Sequence, residues 1–179
     1  MKTATFTLTL IFTAIGIMAF TFGGNENNFS IMYSGGPPAG HSGDPAGGNK
    51  NCTSCHSGTE VQSQTGWITS NIPMEGYVPG SSYTITAKAK GEGHTIFGFQ
   101  ISPQDSTGNF LGTLANTGTN TKLSSDPNYI SQSSSGTAGS DSISWTFDWT
   151  APAEGSGEVN FYGVFNSLGF LHLYKCAGN

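Results

Sequence analysis

The sequence predicts an all-β protein built as an antiparallel sandwich. From about Trp67 onward, apolar and polar residues alternate with a period of two in several short segments. Clusters of Gly, Pro, Asn, Asp and Ser separate these segments and mark turns. No segment shows the three-to-four-residue spacing of an amphipathic helix. Short strands divided by turns in this way are typical of a sandwich.

Five segments match the strand pattern, namely 82–90, 96–102, 110–115, 142–150 and 159–165. The fourth is the most informative, because Ile143, Trp145, Phe147 and Trp149 occupy alternate positions. Residues two apart in a strand project to the same face, so these four predict one buried face. Turn signals separate the strands at 78–80, 106–109, 124–127 and 151–155.

Residues 25–66 are predicted to form a loop segment ahead of the sandwich. The run from Gly35 to Gly40, Gly-Gly-Pro-Pro-Ala-Gly, disfavours both helix and strand. Loops of this length are uncommon unless they are functional or disordered. We expect a sandwich over 67–167 and an atypical tail over 168–179, to which no function is assigned.

Cys52-Thr53-Ser54-Cys55-His56 spells C-x-x-C-H, which is typical of a c-type haem attachment site. Two thiols at this spacing can add to the two vinyl groups of one haem, and the following imidazole can bind the iron. Cys52, Cys55 and His56 are therefore predicted to hold haem c covalently. A bound haem would also give the loop segment an apolar mass to pack around.

Two other interpretations of the motif remain open: a disulfide or redox C-x-x-C, and part of a site for another metal such as zinc. A zinc site needs a second close ligand pair. The only other cysteine is Cys176, and His41, His94 and His172 are scattered. A redox C-x-x-C belongs at the start of a helix, which the Gly-rich flanks do not favour.

The N-terminus predicts export. Residues 1–24 resemble a signal peptide, with Lys2 before an almost wholly apolar stretch from Phe6 to Phe22. Retention of this segment as a membrane anchor is the alternative. Export agrees with the haem interpretation, because bacterial c-type haem is attached outside the cytoplasm. The expected location is the periplasm, the outer-membrane surface or the extracellular space.

The composition excludes several function classes. Charged residues make up 9% of the chain, the net charge is −5, and arginine is absent. A chain without a basic patch cannot neutralise a phosphate backbone, so nucleic-acid binding is excluded. No Ser-His-Asp set, phosphate-binding loop or carboxylate pair stands out, so we do not expect an enzyme.

Several motifs resemble known families. The run 35–40 followed by Cys52–Gly58 resembles the N-terminus of bacterial exported proteins with a choice-of-anchor domain. Segments 76–85, 97–101, 145–152 and 159–162 resemble a Reeler (reelin-type) domain. The resemblance covers residues 35–167. It implies an immunoglobulin-like β-sandwich preceded by a haem-bearing loop, with possible anchoring to a membrane or cell surface.

The chain departs from that resemblance at two places. The family commonly has a histidine shortly before the Trp-rich strand, whereas here Tyr129-Ile130-Ser131 is followed by Gln132. If relatives use that histidine on iron, this chain must use another group. The family also usually continues past the Phe-Tyr strand with a further strand or an anchor, unlike residues 168–179.

The sixth iron ligand is expected to be His94, with Met74, His41 and Met32 as alternatives. His94 lies where a loop enters the strand at 96–102, so the rim of a sandwich could present it to a haem. His41 is close to the motif in sequence. A methionine ligand raises the reduction potential, and a vacant position permits small-molecule binding.

The sequence thus predicts an exported monohaem c-type cytochrome that transfers single electrons or senses through its haem at the cell envelope, with an unidentified redox partner. The alternative is a surface adhesion or carbohydrate-binding β-sandwich that has a C-x-x-C disulfide and no haem.

Overall fold

The structure, a computed structural model, describes residues 33–56, 61–169 and 174–178. The expected signal peptide at 1–24 and the start of the loop segment lie outside these residues. Within the described ranges, no helix is long and apolar enough to cross a membrane.

Two β-sheets face each other, which confirms the predicted all-β sandwich. In the described residues the strands are β1 (Gln62–Ser63), β2 (Ile68–Ser70), β3 (Ser82–Lys90), β4 (His94–Gln104), β5 (Thr113–Ala115), β6 (Thr121–Leu123), β7 (Ile130–Gln132), β8 (Ser142–Thr150), β9 (Asn160–Gly169) and β10 (Tyr174–Gly178). One sheet has the order β1-β10-β9-β4-β7-β6 and the other β2-β3-β8-β5.

Most neighbouring strands pair antiparallel, as the sequence predicted. β3 and β8 pair along their whole length, from Ser82 opposite Thr150 to Lys90 opposite Ser142. β4 and β9 form the central ladder of the six-stranded sheet. The exception is β1, which pairs parallel with β10.

The long strands coincide with the sequence pattern better than the short ones. The segments 82–90 and 142–150 are β3 and β8 as predicted, and β4 extends the predicted 96–102 at both ends. β1, β2, β6 and β7 have two or three residues each, too few to show an alternation. β9 runs to Gly169, and β10 lies within the segment expected to be a tail.

The core between the sheets is aromatic. Trp145, Phe147 and Trp149 are fully buried on one face of β8, and Ile143 on the same face is half-buried. The Trp145 ring lies 4.5 Å from that of Phe99 on the facing sheet, measured between centroids. Each buried indole has a hydrogen-bond acceptor, as buried tryptophans usually require: Trp145 Nε1 donates to the Gly136 carbonyl at 2.7 Å and Trp149 Nε1 to that of Leu111 at 2.9 Å.

β4 is buried on both faces over residues 99–104. Phe97, Phe99 and Ile101 face the core, while the alternate residues Gln100 and Gln104 face away from it and are nevertheless buried. The outward side chains are buried because the segment 33–56 packs over them, as its hydrogen bonds to Gln100 and Gln104 show. The loop segment is therefore docked on the outer face of the six-stranded sheet.

Candidate functional site

A cavity lies between the docked segment 33–56 and the outer face of β4 and β9. Directly opposed residues of an antiparallel pair project to the same face. The floor is therefore built from the outward-facing pairs Ile96 with Leu168, Gly98 with Asn166, and Gln100 with Val164. This floor is mostly apolar. Ile96 remains 41% exposed, so the floor is open to solvent near this end of β4.

The docked segment brings Cys52, Cys55, His56 and His41 to this cavity. The three residues of the predicted haem motif therefore face one space, together with one of the candidate sixth ligands. The empty space of the cavity is about 920 Å³ when the solvent at its mouth is counted. One side of the cavity is therefore open to solvent.

The C-x-x-C-H motif is a compact turn. Cys52–Ser54 form one turn of 3₁₀-helix, and the Asn51 side chain caps it by accepting from Thr53 N at 2.8 Å. The amides of Cys55 and His56 both donate to the Cys52 carbonyl, at 3.2 and 2.9 Å. Cys55 carries an exposed free thiol. The turn thus brings all three residues of the motif to the lining of the cavity.

Burial lowers the pKa of His56 below its ordinary value of 6.5. Removal from water disfavours the imidazolium form, so the ring is neutral at pH 7. A neutral imidazole has a nitrogen lone pair to offer, which is the form that binds a metal. The local environment of His56 therefore suits a metal ligand.

Asp44 fastens the docked segment to the sheet. Its fully buried carboxylate accepts hydrogen bonds from Ser42 Oγ at 2.5 Å, Gly47 N at 2.7 Å, Gln104 Nε2 at 2.6 Å and Tyr129 Oη at 2.8 Å. Two of these donors belong to the segment and two to the sandwich. The carboxylate therefore joins the loop to the sheet beneath it.

The same contacts determine the ionisation of this cluster. Burial alone would raise the pKa of Asp44, but the hydrogen bonds from Ser42, Gln104, Tyr129 and Gly47 hold it below 3.8. Burial, and next the hydrogen bond to Asp44, raise the pKa of Tyr129 far above 10.0. At neutral pH the carboxylate is thus charged and the phenol is a donor.

His94 and Met74 lie away from the cavity. β4 has an irregularity between His94 and Ile96, because His94 pairs with Gly169 while Ile96 pairs with the adjacent Leu168. One extra residue in a strand reverses the alternation of side chains. His94 therefore meets the core side of the sheet, where its Nδ1 lies 2.8 Å from Ser167 Oγ. Met74 is fully exposed in a turn.

Sequence reasoning missed two polar residues of the cavity. Gln132 and Asn166 both line the cavity. Gln132 stands where the family resemblance predicts a histidine. The Oδ1 atom of Asn166 is buried without a hydrogen-bond partner in the described part of the chain. A buried polar atom without a partner is costly, so it is a candidate to meet a ligand. The only signal was polar residues within otherwise apolar strands.

The donor set of the cavity fits haem c. A porphyrin brings four nitrogen ligands of its own, so the chain has to provide two thiols and axial groups. Two cysteines, a neutral imidazole and an apolar floor are the groups that such a ligand requires. By contrast, the described residues contain no cluster of three or more His, Cys, Asp or Glu side chains suited to a bare metal ion.

Comparison with known proteins identifies the sandwich. The family model of the Reeler domain matches residues 50–167. None of the curated proteins matches the chain. Among solved structures, the chain is similar to the Reelin-N domain of F-spondin, at 20% identity and a TM-score of 0.47 over 67% of this chain and 83% of that one.

This chain is also similar to two human structures. The human F-spondin reeler domain (fragment 1) has 18% identity and a TM-score of 0.44 over 67% of this chain and 86% of that one. Fragment 2 has 21% identity and a TM-score of 0.46 over 69% of this chain and 94% of that one. The family match spans well over half of the sequence, and on that ground the chain belongs to the Reeler domain family.

Proposed function

We propose that this chain is an exported Reeler-family module whose outer-face cavity carries covalently attached haem c, and that it transfers single electrons or senses through the haem at the cell envelope. The observation that supports this most strongly is the convergence of Cys52, Cys55 and His56 on one largely apolar cavity. An exported location is consistent with the family, since Reeler domains occur in secreted or extracellular proteins.

Each part of the site has a role in this proposal. Cys52 and Cys55 form the thioether bonds, and His56 binds the iron. The apolar floor around Ile96 and Val164 would keep water from the bound ligand, and the open mouth would give a redox partner access to it. When bound, the haem supplies the one-electron chemistry. The chain holds it and sets its potential through the axial ligands and the polarity of the cavity.

The test is a pyridine haemochrome spectrum and an intact mass of the chain, produced with a c-type maturation system. We expect one haem per chain that stays bound in acidified acetone. The double variant Cys52→Ala, Cys55→Ala should lose it entirely. Cys176→Ala, which removes the cysteine outside the motif, is the matched control and should keep it.

A haem-free product would contradict the proposal, particularly if Cys52 and Cys55 were joined to each other. The module would then be the second candidate, a surface adhesion or carbohydrate-binding domain. On the comparisons alone this second candidate is the better supported, because the family match describes the sandwich and no haem site.

A second depression in the surface, beside Trp67 where its ring packs on Phe165, is a place to test that candidate. It is lined by polar groups, including Gln64, Lys90 and Glu92, beside the half-buried ring of Trp67. An aromatic ring with hydrogen-bonding groups around it suits a sugar, which has apolar faces and polar edges. Screening of immobilised glycans with wild type and Trp67→Ala tests this. Binding that the variant loses would support a carbohydrate-binding module.

A further inference from the structure

We propose that His41 is the second axial ligand of the haem, so that two histidines of this chain bind the iron. The inference rests on the proposed haem attachment and adds to it the group that determines the chemistry. It replaces the sequence-based expectation of His94.

His41 lines the same cavity as His56. Among the described residues that line the cavity, His41 and His56 are the two histidines. They come from the same docked segment, on either side of the Asp44 cluster and the C-x-x-C turn. The segment thus brings both imidazoles to the space that Cys52 and Cys55 also face.

The ring of His41 is oriented as in metal-binding histidines. Its Nδ1 lies 3.1 Å from the Pro38 carbonyl and 3.3 Å from the Ala39 carbonyl. Both partners are acceptors, so the proton belongs on Nδ1 and the lone pair on Nε2. Histidines that bind metals almost always donate their other ring N–H to a carbonyl, a carboxylate or water, which fixes the tautomer.

The backbone at His41 is held by the sheet. His41 N donates to Gln100 Oε1 at 2.6 Å, and Gln100 Nε2 donates to the Pro38 carbonyl at 3.0 Å. One outward-facing side chain of β4 thus binds the segment at the histidine and at the carbonyl that orients its ring. A ligand group positioned in advance loses less conformational entropy on binding.

The other candidates that the structure describes are occupied or distant, and Met32 lies outside the described residues. The Gln132 amide lines the cavity, but its Oε1 accepts from Phe99 N at 2.8 Å and its Nε2 donates to the Tyr33 carbonyl at 3.4 Å. His94 lies on the core side of the sheet beside Ser167, and Met74 points into solvent. Among the described residues that line the cavity, His41 is thus the imidazole that remains, besides His56, to bind the iron.

Ligation by two imidazoles has a functional consequence. With both axial positions filled by the chain, small molecules have no vacant position on the iron. A second histidine also gives a lower reduction potential than a methionine would. The site then serves electron transfer rather than the sensing of a diatomic ligand.

The test compares absorption and EPR spectra of the ferric holoprotein for wild type and His41→Ala. We expect a low-spin wild type and a high-spin variant that binds added imidazole and, when reduced, carbon monoxide. Addition of imidazole should restore the low-spin spectrum. His41→Met, which keeps a ligand at this position, should stay six-coordinate with a higher midpoint potential.

His94→Ala and Met74→Leu are the matched controls and should retain the wild-type spectrum. The haemochrome spectrum of each variant measures haem content separately from ligation. A His41→Ala protein that contains haem and keeps the low-spin spectrum of wild type would overturn the assignment of His41 while leaving haem attachment intact. A wild type without haem would overturn both proposals.

Discussion

Replacement of Asp44 by alanine should release the segment that carries the candidate site from the sheet. The carboxylate accepts four hydrogen bonds, including those from the buried side chains of Gln104 and Tyr129. Alanine leaves Tyr129 Oη without its acceptor in a site closed to water, while Gln104 Nε2 keeps only its bond to Ser102 Oγ at 3.0 Å. The hydroxyl of Ser42, which is also buried, loses its partner as well.

The expected loss of stability follows from these contacts. Each buried donor left without a partner costs about 1–3 kcal/mol, and breaking a buried charged network costs about 3–5 kcal/mol. We therefore expect the free energy of unfolding to fall by about 4 kcal/mol for Asp44→Ala. In a domain of this size each kcal/mol lowers Tm by about 2–4 °C, so Tm should fall by about 8–16 °C.

The conservative variant gives a second measurement. In Asp44→Asn the amide oxygen can accept from Gly47, Gln104 and Tyr129, while the amide nitrogen donates to Ser42 Oγ, whose hydroxyl can turn. The hydrogen bonds remain but become weaker, because a hydrogen bond to a charged carboxylate is about twice as strong as one between neutral groups. The loss should be smaller, about 1–2 kcal/mol.

Urea unfolding followed by tryptophan fluorescence measures both variants, and Glu154→Gln, which removes an exposed charge, is the control. A double-mutant cycle with Tyr129→Phe isolates one contact. The Tyr129→Phe change should destabilise wild type by about 1–2 kcal/mol and the Asp44→Ala protein much less. If Asp44→Ala unfolds at the same urea concentration as Glu154→Gln, the carboxylate does not join the loop to the sheet.

Three further predictions concern pH and the sandwich itself. Hydrogen bonds hold the pKa of Asp44 in the folded protein below its ordinary value of 3.8. The contribution of the carboxylate to stability is therefore complete above pH 3.8 and is lost as the pH falls through the lower, folded-state pKa. The difference in unfolding free energy between wild type and Asp44→Asn should shrink over the same range. Gly112→Ala should lower the free energy of unfolding by about 2–4 kcal/mol, because the φ of Gly112 is +77° and a Cβ there would lie 2.4 Å from the Thr150 carbonyl oxygen. Gly48 has a similar φ of +70° but no atom within 4 Å of the added Cβ. Gly48→Ala should therefore cost only about 1 kcal/mol in the same urea titration. Trp145→Phe should cost about 2–3 kcal/mol by calorimetry, because the fully buried indole also donates to a carbonyl, and an unchanged Tm would contradict the core assignment.

The sequence by itself determined the sandwich and the chemical motif. Period-two alternation over nine residues identified β3 and β8 correctly, because a strand that long with one face buried leaves a pattern that chance rarely gives. The spacing of Cys52, Cys55 and His56 is a local property, and the 3₁₀ turn that collects them is made by neighbours in sequence.

Tertiary structure alone decided where the candidate site lies and which histidine lines it besides His56. Strict alternation along β4 would place His94 on the same face as Ile96. A single inserted residue between them turns His94 to the core side instead. The backbone amide of His41 donates a hydrogen bond to the side chain of Gln100, 59 positions away in sequence, and this bond holds His41 at the cavity. Bulges and long-range polar contacts depend on which strands and loops meet in the folded chain, so local sequence patterns do not encode them.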